Sequence, residues 1–372
     1  MEITIQTILK AAVEDENVSD IFLIAGLPVT MKRSGHQKRL NDAPLMPDTI
    51  RQLVDEIYRE GKRERVKLDR GEDDDFSLSM PRQKMEGGFF PGGRFRVNVF
   101  RQRGSLAAVI RVIRFGLPDA ELLGIPEDVL SLADNGGGLV LVTGAAGTGK
   151  STTLACMIDR INDSRDCHII TMEDPIEYIH RHKKAIVTQR EISIDTPGYS
   201  EALRSALRES PDVIFLGEMR DFETMYAALI AAETGVLVFS TLHTSGAADT
   251  INRIVDVFPD KEQARTQLAQ VLRAVVCQQL VPSTELDDNG NPIRIPVFEI
   301  MKVTDAINNM IRENKVNQLD AMMQSGASDG MCTMDGSLLK LFGKKRIDRA
   351  TALKYRTHYG HEYMEKRLDE IR

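Results

Sequence analysis

The sequence lacks several features that would assign a protein to a class before any motif is considered. Its 372 residues contain no apolar run approaching the roughly 18–20 residues that span a bilayer. The N-terminus, MEITIQTILKAAVEDE, is acidic where a signal peptide would be basic. No CxxC pair occurs among the four cysteines (156, 167, 277 and 332), so neither a zinc site nor a redox motif is indicated. We therefore expect a cytosolic protein with incidental thiols and no direct membrane insertion.

A basic excess is also missing. The chain has 48 Lys and Arg against 55 Asp and Glu, a net charge of −7 at pH 7. This balance gives no global electrostatic footprint for nucleic acid, although a local basic groove could still exist. We therefore expect no nucleic-acid partner, while a motor that moves nucleic acid stays as an alternative.

The stretch GAAGTGKST, residues 144–152, fits the phosphate-binding P-loop pattern. An apolar run at 139–142 precedes it, and apolar residues at helical spacing follow it, which is the strand-loop-helix context that the motif requires. Glycines let backbone N–H groups face phosphate oxygens, a lysine supplies fixed positive charge, and a serine hydroxyl can bind Mg²⁺. The predicted nucleotide-binding residues are Gly144, Gly147, Thr148, Gly149, Lys150, Ser151 and Thr152.

Two patterns divide the chain. From about residue 122, apolar runs at 138–142, 168–172, 213–216 and 236–241 alternate with amphipathic stretches, which predicts an α/β domain with a parallel sheet and helices on both faces. Residues 1–115 contain short alternating strands and a helix near 48–59, which predicts a small α+β domain. We expect a linker at 116–122 and a second domain over 123–372 with a C-terminal helical region. Polar, Gly-rich stretches at 82–93 and 284–292 predict loops.

Carboxylates follow two of the predicted strands. Glu218 comes after 213–216 and Glu173 after 168–172, so both should lie at the carboxyl edge of the sheet, where open α/β sheets bind ligands. We expect Glu218, with Ser151, to hold Mg²⁺ and Glu173 to act as general base; capping or loop carboxylates are the alternative. His243 follows the strand at 236–241, where it would sense the γ-phosphate or tie neighbouring strands together, although a histidine after a strand is usually structural.

Together these elements resemble the secretion and type IV pilus ATPases, and within them the PilT-type retraction motors, over nearly the whole chain. The resemblance rests on seven segments in order: SDIFLIAGLPVTMKRSG (19–35), GRFRVNVFRQRG (93–104), GAAGTGKST (144–152), EDPIEYIH (173–180), GEMRD (217–221), STLHTSGA (240–247) and AINNMIRENK (306–315). The family pattern identifies them as the opening motif, the arginine-bearing strand, Walker A, the Asp box, Walker B, the His box and a C-terminal motif.

The resemblance implies an N-terminal PAS-like domain and a C-terminal RecA-like P-loop ATPase domain. It implies a homo-hexamer that hydrolyses ATP with Mg²⁺ at the cytoplasmic face of the inner membrane, docks on a pilus platform protein and powers pilus retraction and twitching motility. It also implies that arginines of the N-terminal domain reach the nucleotide. Matched to this sequence, the first candidates are Arg96 and Arg111, and Arg94 and Arg101 are the second choice.

The shared motifs do not determine the direction of movement, because the family also contains assembly motors. Those usually carry an extra N-terminal domain and a four-cysteine zinc site, neither of which is found here, so retraction is favoured. Asn308 stands where the retraction motif usually has arginine. An accessory, PilU-like partner of another, paralogous retraction motor is therefore an alternative, as are an assembly ATPase, a RecA-like nucleic-acid translocase and a non-catalytic scaffold.

Overall fold

The computed structural model describes residues 3–15, 17–81, 83–85, 88–90, 92–113, 116–287 and 290–371. The chain forms two compact units, Met1–Gly116 with Glu177–Ile179, and Leu117–Ile176 with His180–Arg372. The division after residue 116 falls at the start of the predicted linker, whose far limit at 122 stays a prediction. Phe115, which opens the turn-rich stretch on which the linker prediction depends, lies outside the described residues.

The first unit contains an antiparallel sheet of six strands in the order β3-β2-β1-β8-β7-β4 and a separate hairpin, β5-β6. Its elements are α1 (Ile5–Glu14), β1 (Val18–Leu23), β2 (Thr30–Arg33), β3 (His36–Arg39), α2 (Pro47–Glu60), α3 (Val66–Asp69), β4 (Asp74–Met80), β5 (Gln83–Met85), β6 (Gly88–Phe90), β7 (Gly93–Gln102) and β8 (Ser105–Ile113). The prediction of a loop over 82–93 was wrong for residues 83–85 and 88–90, because β5 and β6 pair there; residues 82, 86, 87 and 91 of that stretch lie outside the described residues.

Alternation along the strands gives this sheet one apolar and one polar face. On β7, Phe95, Val97 and Val99 are fully buried, while Arg94 and Arg96 point to the opposite side. The apolar face forms one core with the buried sides of α1 and α2. The predicted α+β class of this unit is thus confirmed.

The second unit contains a sheet of seven strands in the order β11-β10-β12-β13-β9-β14-β15. Its elements are α4 (Glu127–Leu130), β9 (Gly138–Thr143), α5 (Lys150–Ser164), β10 (His168–Glu173), β11 (Ile186–Glu191), α6 (Tyr199–Ala206), β12 (Val213–Leu216), α7 (Phe222–Glu233), β13 (Leu237–Leu242), α8 (Ala247–Val257), α9 (Lys261–Val271), β14 (Leu272–Leu286), β15 (Pro292–Lys302), α10 (Asp305–Arg312), α11 (Leu319–Ser325), α12 (Met334–Gly343), α13 (Arg349–Tyr355) and α14 (His361–Glu370), with 3₁₀ turns at Ser131–Asp134, Val316–Gln318 and Gly326–Asp329.

All neighbouring strands of this sheet run parallel except β14 and β15, which form an antiparallel edge hairpin. The α/β prediction is confirmed, and the sheet has more strands than the four apolar runs from which it was predicted. The prediction of a loop over 284–292 was wrong at both ends, because β14 continues to Leu286 and β15 begins at Pro292.

Helices cover both faces of the sheet. Leu139 and Leu141 of β9 pack in one core with α6 to α9 and the C-terminal helices, whereas Val140 and Val142 pack in another with α4 and α5. The strand is therefore apolar throughout, as expected for a parallel strand buried on both sides. Among the described residues, no helix has the length and apolar character needed to cross a membrane.

A buried carboxylate joins the loop after β13 to the C-terminal helices. Glu299 on β15 is fully buried and accepts hydrogen bonds from the backbone N–H of Ala247 at 2.7 Å and of Met334 at 3.2 Å, at the starts of α8 and α12. Nε2 of His358 lies 3.3 Å from the same carboxylate, and its Nδ1 lies 3.2 Å from Asp320. Anionic groups at helix N-termini are stabilising, so one side chain fixes two helices and a histidine.

Candidate active site

Three glycines with positive φ values set the backbone conformation of the loop between β9 and α5. Gly144, Gly147 and Gly149 have φ values of 142°, 75° and 88°, which residues with a side chain rarely adopt. Nζ of Lys150 donates to the backbone oxygens of Gly144 and Ala145, at 2.9 Å each, so the ammonium lies across the loop. The N-terminus of α5 follows directly, and this arrangement of backbone amides, helix end and cation suits phosphate.

The loop lies against β14. A Cβ atom on Gly144 would lie 2.3 Å from the backbone oxygen of Gln278, so no other residue fits there without displacing the strand. The Gln278 side chain, 3% exposed, also contacts the loop. Gln278 was not predicted, because it lies 130 residues after Thr148, the loop residue that it contacts, and no motif links the two.

Strands β9, β10, β12 and β13 run parallel, so the residues that follow them meet at one edge. Glu173, the last residue of β10, is 8% exposed. Its Oε1 accepts hydrogen bonds from Oγ1 of Thr171 at 2.7 Å and from Nε2 of Gln189 at 3.3 Å. Both donors hold the carboxylate in one orientation at the edge of the sheet, where the predicted base should lie.

Glu218 and His243 lie together at the same edge. Oε1 of Glu218 is 2.5 Å from Nη2 of Arg220, and its Oε2 is 3.6 Å from Nε2 of His243. The hydrogen bond from Arg220 to Glu218 raises the pKa of that guanidinium above its ordinary value. Because the Glu218 side chain is mostly buried while those of Arg220 and His243 are exposed, the two partners can leave without disturbing the core.

Tyr199 is a further residue of this edge that the sequence did not predict. It begins α6, and its hydroxyl would lie 2.8 Å from a Cβ atom on Gly217, the residue before Glu218. Burial, together with the charges of Glu218, Asp174 and Glu173, raises the pKa of the phenol well above its ordinary value. Tyr199 therefore stays a neutral hydrogen-bond donor among the carboxylates that follow β10 and β12.

The two predicted arginines belong to the first unit, where they oppose each other on neighbouring strands. Arg96 on β7 pairs in register with Arg111 on β8. Nη2 of Arg96 lies 2.6 Å from Asp75, and Nε of Arg111 lies 3.0 Å from Asp20. The polar face of the six-stranded sheet thus carries two adjacent guanidinium groups, each held by a carboxylate.

Oxygen donors are available for a magnesium ion. Within the described ranges, no group of three His, Cys, Asp or Glu is placed to hold a metal by itself. Magnesium in nucleotide sites is commonly held by one or two protein oxygens together with phosphates and waters, so a pair such as Ser151 and Glu218 fits the ion's preference. The four cysteines are unpaired, and burial raises the pKa of each thiol.

Comparison with known proteins gives matches over most of the chain. Residues 95–336 match the family described as type II/IV secretion system protein. The chain is 44% identical over 348 residues to the type IV pilus retraction ATPase PilT of Pseudomonas aeruginosa, covering 93% of this chain and 96% of that protein. It is 38% identical over 350 residues to the type IV pilus ATPase PilU of the same organism, covering 94% and 87%.

A solved structure is similar over the same extent. The crystal structure of the pilus retraction motor PilT with bound ADP matches with a TM-score of 0.84 at 44% identity, covering 97% of this chain and 99% of that one. The resemblance drawn from seven sequence segments is confirmed by these matches.

Proposed function

Because the chain belongs to the type II/IV secretion system protein family, we propose that it is an ATP-hydrolysing motor that powers type IV pilus retraction and thereby twitching motility. The observation that carries the proposal is the likeness to PilT, in sequence and in structure, over more than nine-tenths of both chains. The ADP bound in that neighbour supports nucleotide binding here, since this chain has the same fold and a complete P-loop.

In the proposed site, the phosphates are bound by backbone N–H groups of residues 144–149 and by the N-terminus of α5. The Lys150 ammonium leaves the carbonyl oxygens that it contacts and neutralises phosphate charge. Ser151 and Glu218 would hold Mg²⁺, which neutralises charge on the β- and γ-phosphates when bound. Glu173 orients and deprotonates the attacking water, a role supported by its fixed orientation at the sheet edge.

His243 provides a polar contact that responds to the γ-phosphate. Its nitrogen faces Glu218 and its side chain is exposed, which supports a role that changes with the nucleotide. Arg96 and Arg111 are the proposed arginines that stabilise charge on the transferred phosphoryl group. Turnover of the Arg96→Ala and Arg111→Ala variants tests that role, and unchanged turnover in both would exclude it.

The working assembly is proposed to be a homo-hexamer that docks on an inner-membrane pilus platform protein, at the cytoplasmic face of the membrane. A ring converts local changes at each site into movement of a central partner. Sedimentation of the purified protein with MgADP would test the hexamer, and co-purification with the platform protein would test the docking.

The experiment for the motor is a count of surface pili on cells whose only copy carries Glu218→Ala. An excess of pili that no longer shorten would support retraction, whereas bald cells would mean assembly. Glu223→Ala is the matched control, since this exposed carboxylate lies five residues on, in the first turn of α7. Purified Glu173→Gln should lose nearly all ATP turnover, and intact turnover would exclude Glu173 as the base.

An accessory role is the second candidate, favoured by the match to PilU over 94% of the chain and by Asn308 at the position of the motif arginine. Asn308 lies in α10, where its Oδ1 is buried and has no hydrogen-bond partner among the described residues. Turnover of this protein alone, compared with turnover mixed with a paralogous motor, separates the two roles. Stimulation by DNA would instead support a nucleic-acid motor.

A further inference from the structure

Gln278 on β14 makes two hydrogen bonds across the base of the phosphate-binding loop. Its Nε2 donates to the backbone oxygen of Thr148 at 2.7 Å. Its Oε1 accepts from Oγ1 of Thr153, in the first helical turn of α5, also at 2.7 Å. One buried amide therefore joins the end of the loop to the start of the helix, at a position outside every motif that the sequence presents.

The chemistry of these partners specifies an amide. The Thr148 carbonyl can only accept a hydrogen bond, so the –NH₂ group must face it, and the remaining oxygen must then accept from the Thr153 hydroxyl. A carboxylate has no donor for the carbonyl, and a hydrocarbon satisfies neither group. Leaving such a buried group without a hydrogen-bond partner is destabilising, and here the destabilised group would be the loop itself.

The Thr148 carbonyl belongs to the same planar peptide group as the N–H of Gly149. In a trans peptide the C=O and N–H bonds point in opposite directions. Anchoring the carbonyl oxygen toward β14 therefore aims the Gly149 N–H away from the strand. That N–H stands at the N-terminus of α5, among the amides that suit phosphate.

The backbone and side chain of Gln278 also determine which residues the loop can contain. The backbone oxygen of Gln278 excludes a Cβ atom at Gly144, and Nε2 of the Gln278 side chain would lie 3.0 Å from a Cβ atom at Gly149. The preceding residue, Cys277, accepts a hydrogen bond from Oγ1 of Thr143 at 3.1 Å, where β9 enters the loop. Residues 277 and 278 thus contact both the entry and the exit of the loop.

We propose that Gln278 is a positioning residue that holds the loop in its phosphate-binding geometry before nucleotide arrives. This inference deepens the proposed function and rests on it. When groups are already held in the bound geometry, binding does not include the free-energy cost of ordering them. Losing Gln278 therefore weakens nucleotide affinity more than it lowers the rate of ATP turnover at saturation.

The test measures the dissociation constant of MgADP, and KM and kcat for ATP, on the full chain. Gln278→Glu keeps the shape of the side chain and removes its donor, and we expect the MgADP Kd and the ATP KM to rise together by about 10–100-fold. We expect kcat to stay within about threefold of the native value. The matched control is Gln279→Glu, the same change at the next residue of β14, whose side chain alternates to the other face; its Kd should change by less than about twofold.

A pair of milder variants keeps the test decisive if Gln278→Glu does not fold. Thr153→Val removes only the hydroxyl that Oε1 accepts from, and should raise the MgADP Kd by about 3–10-fold. Thr153→Ser restores that hydroxyl and should recover most of the affinity.

Three results would count against these claims, and they differ. A native protein that does not bind MgADP would overturn the proposed nucleotide site itself. Native binding with an unchanged Kd in Gln278→Glu and Thr153→Val would overturn the role of Gln278 alone. Equal losses at positions 278 and 279 would reduce the effect to general damage to β14, and would also overturn it.

Discussion

Replacing His358 by glutamine should make the stability of the second unit less dependent on pH. His358 lies between the carboxylates of Glu299 and Asp320, and Asp335 adds further negative charge nearby. The hydrogen bond to Glu299 is the main cause that raises the pKa of the imidazole from 6.5 to about 9, against the opposing effect of burial. Glutamine keeps a donor at this position and carries no charge.

The magnitude follows from the pKa difference. A pKa of about 9 in the folded chain, against 6.5 unfolded, corresponds to about 3 kcal/mol of stabilisation when the imidazole is protonated. Solvent around the partly exposed ring reduces this to about 2 kcal/mol. Since the folded-state pKa is the higher one, the stabilisation is complete below pH 6.5, declines above it, and is lost as the pH rises through 9.

Urea unfolding of the native protein and of His358→Gln, followed by circular dichroism at pH 6, 7.5 and 9.5, measures this contribution. The difference in the free energy of unfolding should be about 2 kcal/mol at pH 6 and close to zero at pH 9.5. Taking the difference between two proteins removes the titration of groups that they share. His361→Gln is the matched control, because that exposed histidine pairs with the exposed Glu365, one turn along α14; its difference should stay below about 0.5 kcal/mol.

A difference between the native protein and His358→Gln that is the same at all three pH values would contradict a stabilising role for the imidazole charge. It would mean that glutamine loses packing or a hydrogen bond, and that the charge of the imidazole contributes nothing measurable to folding.

Two further changes have clear expected outcomes. Asp335→Asn should lower the free energy of unfolding by about 3–5 kcal/mol in urea titrations. This fully buried carboxylate accepts hydrogen bonds from the backbone N–H groups of residues 357, 358 and 359, and an amide cannot accept all three. Gly144→Ala should weaken MgADP binding by more than about 100-fold. Gly147→Ala, whose added Cβ atom would meet nothing within 4 Å, should weaken it by about tenfold or less. Equal losses of affinity in a calorimetric titration would contradict the steric argument.

Local patterns explain why much of the site was predictable. The P-loop depends on glycines, a lysine and a serine that are close together in sequence. Glu173 is the last residue of an apolar strand, and Glu218 and His243 each come shortly after the end of one. Once parallel strands are recognised, their carboxyl ends must meet at one edge, so the meeting of these residues follows from the order of the chain. Their catalytic roles stay predictions.

Gln278 and Glu299 depend on contacts that sequence spacing does not encode. Each is an ordinary polar residue of a strand, and its importance appears only when the partners are identified: the loop around Thr148 for the first, and the starts of α8 and α12 for the second. The end of the β14-β15 hairpin was mistaken for a loop for a related reason. Its residues are polar because they extend into solvent, while backbone pairing, which has no side-chain signature, continues to Leu286.

The state of the four cysteines has a practical consequence for following motion in this protein. Thiols whose pKa is raised by burial are mostly protonated at neutral pH, and the protonated form reacts slowly with maleimides. A cysteine introduced at an exposed position of either unit would therefore take up a fluorophore well ahead of the native thiols. Distance changes during ATP turnover could then be recorded in a chain that keeps its own cysteines.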